Sequence, residues 1–336
     1  MTTGGELVAQ RAALLTGAGL LDRTAVGALR IGGMDRSRFL QGLVTCDLRT
    51  LAEGDGAYGF VTTVQGRVIA DIVVLVLPDD LWLEVPPGQA EAVATHLDKY
   101  LIADRVQIAA LGDQRPLGVA GPRAAALLEG EVGRGQLPGG GWEHRPLEIG
   151  GCPVRVVRRA VAPVESFDLW LPTTDLATVR GRLRAAGAVE VDAAALEVVR
   201  VERGIPAFGR EFDGENFPQE TGLVEAAVSF DKGCYLGQEV IARIHYRGGV
   251  NKGLRGIRFV GLDTPPDGTP LRAVPPHGTP LLADGRSAGR VGSAVDSPEH
   301  GVIGLAILHQ RANEPGTRLE VESGGSAEVV ALPFGS

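Results

Sequence analysis

The segment Asp231-Lys232-Gly233-Cys234-Tyr235-Leu236-Gly237-Gln238-Glu239-Val240-Ile241-Ala242-Arg243 sets a nucleophilic thiol among two glycines and a lysine. Glycines let the backbone turn tightly and let another group approach it closely, so Cys234 is expected on a loop. Gln238 to Arg243 reads as the start of a helix, which would put Cys234 just ahead of unsatisfied N–H groups that favour a thiolate. The ammonium of Lys232 pushes the same way. The competing reading is a small buried thiol that only packs, a common fate of free cysteine.

The surroundings sharpen that chemistry. The chain has three lysines, Lys99, Lys232 and Lys252, against thirty arginines, and two of the three fall in or near this segment. Lysine and arginine are not interchangeable where a compact ammonium or a movable pKa is wanted. From Asp231 to Arg258 six basic residues, Lys232, Arg243, Arg247, Lys252, Arg255 and Arg258, face two acids, Asp231 and Glu239. That is a local anion-attracting patch or an ordinary solvated face. His245 and Tyr246 could donate protons, but one histidine eleven residues from one cysteine does not make a metal site, and no metal is expected. Cys46 and Cys152 lack a glycine frame and a lysine close in sequence, and are read as inert.

The elements that must position these groups read as α+β. Glu6 to Leu15 is a short helix, and Asp35 is a plausible N-cap for a second one carrying Phe39, Leu40 and Leu43. Val68 to Leu77 and Leu81 to Val85 form a hairpin across Pro78-Asp79-Asp80. Ala90, Val93, Leu97 and Leu101 recur at helical spacing, so Tyr58 to Ile108 reads as a compact sheet-and-helix unit. Gly130 to Gly151 is rich in glycine and proline and reads as a long loop or a passage between domains. Val154 to Val157 and Phe167 to Leu171 are strands; Thr174 opens a helix stopped by Gly187, and Asp192 caps another that ends at Gly204. From Gly256 onward the short runs Ile257 to Val260, Arg290 to Ala294 and Val302 to Leu308, separated by stretches such as Thr264-Pro265-Pro266-Asp267-Gly268, predict a small antiparallel β-domain.

Composition sets the limits. A chain of 336 residues, 44% hydrophobic and 22% charged, is expected to hold two or three globular domains. Its net charge of −8 disfavours general affinity for nucleic acid or anionic lipid. Met1 to Leu21 has no secretory pattern and no run approaches the roughly 18 apolar residues of a membrane span, so a cytoplasmic protein without membrane partners is expected. Three widely spaced cysteines fit a reducing compartment.

Lys232-Gly233-Cys234-Tyr235-Leu236-Gly237-Gln238-Glu239 resembles the KGCYxGQE signature of YgfZ-type folate-binding proteins, relatives of the glycine-cleavage T-protein, an aminomethyltransferase. Gly66 to Asp71 resembles the family's glycine-started strand, Glu202 to Gly209 its helix-end segment, and Gly289 to Ser293 its C-terminal-domain turn. The resemblance implies a three-domain ring around a channel for tetrahydrofolate or a derivative: two mixed antiparallel-sheet and helix domains and a C-terminal antiparallel β-barrel. The implied division is a discontinuous folate-binding domain of residues 1–57 and 112–250, an inserted domain of 58–111, and a barrel of 251–336. It also implies an accessory role in iron–sulfur cluster assembly or repair, supporting iron–sulfur enzymes that modify tRNA, with iron–sulfur proteins or assembly factors as partners.

The implied site residues follow. The aminomethyltransferases carry paired aspartates where this chain has Ala70-Asp71, so Asp71 remains as the one candidate base. Cys234, with Lys232 keeping it reactive, is the candidate functional thiol. Glu202 is the candidate grip on the pterin, since a carboxylate accepts two parallel N–H bonds. Tyr58, Phe60 and Phe208 are candidate walls, Glu225 a second polar contact, and the basic stretch that includes Arg243 a place for the glutamate tail. Two alternatives stand beside the accessory role. One is a folate-dependent aminomethyltransferase or demethylase; the other is a folate-regulated scaffold that binds a partner protein through Gly248-Gly249 and the basic patch.

Overall fold

The computed structural model describes residues 4–261, 274–322 and 324–335. The punctuating stretch Thr264 to Gly268 therefore lies outside the described residues. The chain divides into two compact units: Ala12–Ala193 with Glu225–Gln238, and Met1–Arg11 with Ala194–Val224 and Glu239–Ser336.

Helix α1 (Gly4–Thr16) comes first, followed by strands β1 (Gly19–Asp22) and β2 (Gly27–Gly32) and helix α2 (Arg36–Gln41). Strands β3 (Gly56–Thr62), β4 (Val68–Val76) and β5 (Asp80–Val85) lead to helix α3 (Ala90–Asp98). Strands β6 (Gln107–Ala110) and β7 (Gln114–Ala120) precede helix α4 (Ala124–Val132). Strands β8 (His144–Ile149), β9 (Cys152–Arg159) and β10 (Ser166–Pro172), helix α5 (Leu176–Ala185) and strand β11 (Val189–Val191) complete the series.

These strands make two sheets, in the orders β3-β4-β5-β2-β6 and β11-β1-β7-β10-β9-β8. Pairing is antiparallel except between β1 and β11. The five-stranded sheet extends beyond residues 58–111, because Leu29 and Ile31 of β2 alternate into the same core as Ala70, Ile72 and Val74 of β4. Helices α2 and α3 close that core with Phe39, Leu40, Val93 and Leu97. The hairpin expected around Pro78 is present, with Val76 opposite Leu81. Asp35 does precede α2 but does not cap it; its carboxylate accepts from the backbone N and Nε of Arg105.

Gly130 to Gly151 is a correction. This stretch holds strand β8, and it stays within one unit. Proline masked the strand in the sequence, but β8 is an edge, paired with β9 alone, and an edge tolerates Pro146. Helix α5 ends as expected at Gly187, whose φ of +103° lets the N–H of Ala188 close back on the carbonyl of Leu183.

In the second unit helix α6 (Ala193–Glu202) follows Asp192 and is closed by Gly204, with Val198 and Val201 packed against Ile303 and Leu305. The chain then returns to the first unit for a single-turn helix α7 (Val224–Ala227) and the cysteine loop, and re-enters the second with helix α8 (Gln238–Arg247). Strands β12 (Lys252–Val260), β13 (Pro280–Ala283), β14 (Arg286–Ser297), β15 (Gly301–His309), β16 (Arg318–Val321) and β17 (Ser326–Val330) close into a six-stranded barrel, β12-β15-β14-β13-β16-β17, antiparallel throughout. Alternate side chains such as Ile257, Leu281, Val291, Ala306 and Val329 fill it. The expected turn at Gly289 to Ser293 is instead part of β14, where the register shifts between Val291 and Ser293. A bulge bends the strand there without ending it. The mixed α+β character and the C-terminal barrel are as the sequence predicts.

Candidate functional site

The cysteine loop is held against the first unit from both sides of Cys234. Lys232, only 4% exposed, turns inward, and its ammonium donates to the carbonyls of Gln41 (2.8 Å), Val44 (2.7 Å) and Cys46 (2.7 Å). The ring of Tyr235 lies 5.1 Å from that nitrogen. The N–H of Leu236 bonds the carbonyl of Gly42, and its own carbonyl accepts from Thr62 Oγ1 at 2.8 Å. Gly237 has φ of +82°, and a Cβ there would stand 2.6 Å from the carbonyl oxygen of Thr63, so no other residue fits. Between these anchors Cys234 is exposed, four residues before α8 begins.

Lys232 therefore plays a different part from the one expected of it. Burial pushes its pKa down to about 8, and the ammonium engages three backbone carbonyls of residues 41–46 rather than the thiol two residues away. In space it is Cys46 that has a lysine beside it. Cys46 is buried against Gly59, and desolvation pushes its thiol up to about 12, which keeps it neutral and inert. Cys152 is half-buried and packs against the apolar core of the six-stranded sheet.

A second constellation grows from β3 and β4 in the same unit. Phe60 pairs with Asp71 across the two strands, and the Tyr58 hydroxyl donates to Asp71 Oδ2 at 2.8 Å. The other oxygen, Oδ1, is buried without a hydrogen-bond partner. Burial raises the Asp71 pKa against the lowering effect of Tyr58, and burial together with the Asp71 charge raises that of Tyr58. Tyr58 stacks on Trp142 at 5.7 Å and 13°, and the Arg159 guanidinium covers the other ring system at 4.9 Å. Arg159 bonds Glu84 (2.9 Å) and Asp168, and Arg23 bonds the same two acids at 3.0 and 2.9 Å. Four alternating charges are thus neutralised between the two sheets of one unit.

Ala70 lies on the opposite face of β4, wholly buried in the core with Val61 and Ile72. Successive residues of a strand point to opposite faces, so in this chain a carboxylate at position 70 could not share a site with Asp71. Trp142 escaped the sequence reading. Its φ of +67° is a strained conformation for a bulky residue, and the run Gly139-Gly140-Gly141 just before it was the available clue.

The remaining candidates are dispersed. Phe60 is fully buried, its ring edge-on to Tyr58 at 6.0 Å, and Glu225 is exposed in the first turn of α7. Glu202, Phe208 and Arg243 belong to the barrel-containing unit. The Glu202 carboxylate is engaged by Arg11 Nε (3.0 Å) and by Ser297 Oγ (2.6 Å). Phe208 packs edge-on to Phe212, and Arg243 pairs along α8 with Glu239 at 2.8 Å. His245 and Tyr246 lie ring to ring at 4.8 Å. Among the described residues no group of three His, Cys, Asp or Glu is spaced to hold a metal ion, and no helix is long and apolar enough to cross a membrane.

Residues 6–232 match the GCVT N-terminal domain, and residues 258–335 match the glycine cleavage T-protein C-terminal barrel domain. The chain is 27% identical to a chloroplastic candidate transferase of Arabidopsis thaliana over 94% of its length and 71% of that protein's. It is likewise 27% identical to an aminomethyltransferase of Rubrobacter xylanophilus, over 97% of this chain and 85% of the relative. The glycine cleavage system aminomethyltransferase T from Bartonella henselae shares the fold, with a TM-score of 0.84 at 21% identity, covering 99% of this chain and 91% of that one.

Proposed function

The chain belongs to the glycine cleavage T-protein family, and on that premise we propose that it is a YgfZ-type member: a cytoplasmic protein that binds tetrahydrofolate or a derivative and assists iron–sulfur cluster assembly or repair. The observation that carries this reading is the exposed thiol of Cys234 on a loop anchored on both sides, by Lys232 before it and by Leu236 and Gly237 after it. A thiol so presented meets an iron atom or a partner's sulfur without any rearrangement of the loop. Iron–sulfur enzymes that modify tRNA are the expected clients.

A folate fits the groups present. The unpartnered Oδ1 of Asp71 can accept an N–H of a pterin, beside the stacked Tyr58 and Trp142. Glu202 can do the same only by exchanging Arg11 or Ser297 for the ligand. A bound reduced folate would supply one-carbon chemistry; the chain's own residues bind and orient it. Calorimetry with tetrahydrofolate should show binding, weakened by about tenfold to a hundredfold in Asp71→Asn, as expected for loss of a charged hydrogen-bond partner. In a strain lacking the protein, Cys234→Ser should bind folate normally yet fail to restore iron–sulfur enzyme activity. Full restoration by that variant would end the accessory reading.

The second reading, a folate-dependent aminomethyltransferase, draws on Asp71. Its raised pKa and free oxygen suit proton transfer, and Ala70, on the other face of the strand, takes nothing from it. Methylenetetrahydrofolate formed from an aminomethylated lipoyl carrier at a rate comparable to that of a working aminomethyltransferase would establish it.

A further inference from the structure

A cavity of about 430 Å³ opens in the unit that holds both sheets, where β8 and β9 meet the turn before β3; it shares no residue with the Cys234 loop or the Asp71 constellation. Its charged and polar lining is Glu53, Asp55, Glu143, His144, Arg145 and Arg155. Cavities of a few hundred cubic ångströms suit small ligands.

Arg155 is the unusual member. Its Nη1 donates to His144 Nδ1 at 2.8 Å, while its buried Nε has no hydrogen-bond partner. Burial, with the Arg155 charge second, holds His144 down to about 4, so the imidazole is neutral and accepts that bond. A neutral acceptor fixes the guanidinium without cancelling its charge. The Trp82 ring lies beneath it at 5.4 Å, and burial lowers the Arg155 pKa against the field of Glu53. The result is an oriented, partly desolvated cation on the cavity wall.

The rest of the lining selects what that cation can meet. Two guanidiniums, Arg145 and Arg155, face three carboxylates, Glu53, Asp55 and Glu143, so a multiply charged anion is repelled. Asp55 accepts from the N–H of Ala52 (2.7 Å) and Glu143 from that of Gly139 (3.0 Å), which fixes both. Glu53 is exposed at the rim. We propose that this cavity binds a small zwitterion, a carboxylate joined by a short chain to an ammonium, with Arg155 taking the carboxylate and Glu53 the ammonium.

Titration with β-alanine, followed by tryptophan fluorescence because Trp82 adjoins Arg155, tests it, with acetate, inorganic phosphate and ethylamine as single-charge and anion arms. Saturable binding of β-alanine tighter than of any of the three is expected. Arg155→Met, checked by thermal melting, should weaken it by at least about tenfold. Should Arg155→Met fail to fold, Glu53→Gln, an exposed change, decides the matter: it should weaken β-alanine but not acetate. No saturation by about 50 mM, phosphate or acetate binding as tightly as β-alanine, or a Glu53→Gln protein with unchanged affinity would overturn the proposal.

Discussion

At the scale of single residues, three ionisable groups sit in environments that dictate different chemistry. Cys234 is exposed while Cys46 is sealed, so a stoichiometric alkylating agent should label Cys234 first and leave Cys46 untouched until the protein unfolds, as mass spectrometry of the labelled peptides will show. Lys232 has a folded pKa of about 8, below its ordinary value, because burial opposes its charge. The folded protein thus binds fewer protons than the unfolded chain between about pH 8 and pH 10.4, and the stability contributed at this site should rise across that window. Urea midpoints measured beside those of Lys232→Met isolate the effect. The same substitution leaves three carbonyls without a donor and should cost about 2 to 5 kcal/mol at neutral pH. Asp71 runs the other way: its folded pKa is raised, so its ionisation above that pKa weakens the fold. Asp71→Asn should gain stability relative to the parent at pH 7, with the gain shrinking as pH falls through the raised folded pKa and gone once it is below the ordinary carboxylate value. Melting curves at pH 7 and pH 3.5 decide it.

At the scale of elements, the cysteine loop depends on β3 and on the turn after α2 more than on its own residues. Gly237 fits under the carbonyl of Thr63 only because it lacks a Cβ. Gly237→Ala combines a strained positive φ with a backbone clash, and a loss of about 2 to 4 kcal/mol is expected. The loop should also come loose, which limited proteolysis within residues 228–240 would detect; an unchanged digestion pattern would mean that Lys232 alone suffices to hold it. Strand β4 makes a related point. Its alternation sends Ala70 into the core and Asp71 toward Tyr58, so two adjacent letters in the sequence have no common environment.

At the scale of the molecule, the unit that carries both sheets is tied together by the alternating charges of Arg23, Glu84, Arg159 and Asp168. Arg159→Met would leave two buried carboxylates sharing one partner, and a loss of about 3 to 5 kcal/mol in thermal or urea unfolding is expected. The α+β character, the C-terminal β-domain, the loop position of Cys234 and the helix ends at Gly187 and Gly204 are all legible in the order of the residues. Each of these is written in local chemistry: hydrophobic period, glycine at a positive φ, and a motif of adjacent residues. What Lys232 bonds, the stacking of Trp142 on Tyr58, the engagement of Glu202 by Arg11 and Ser297, and the place of Arg155 beside Glu53 in a cavity arise from long-range packing. Those partners lie up to 191 residues apart in the chain, and a side chain's charge, burial and spare hydrogen-bonding capacity are set by what packs against it rather than by its neighbours in sequence.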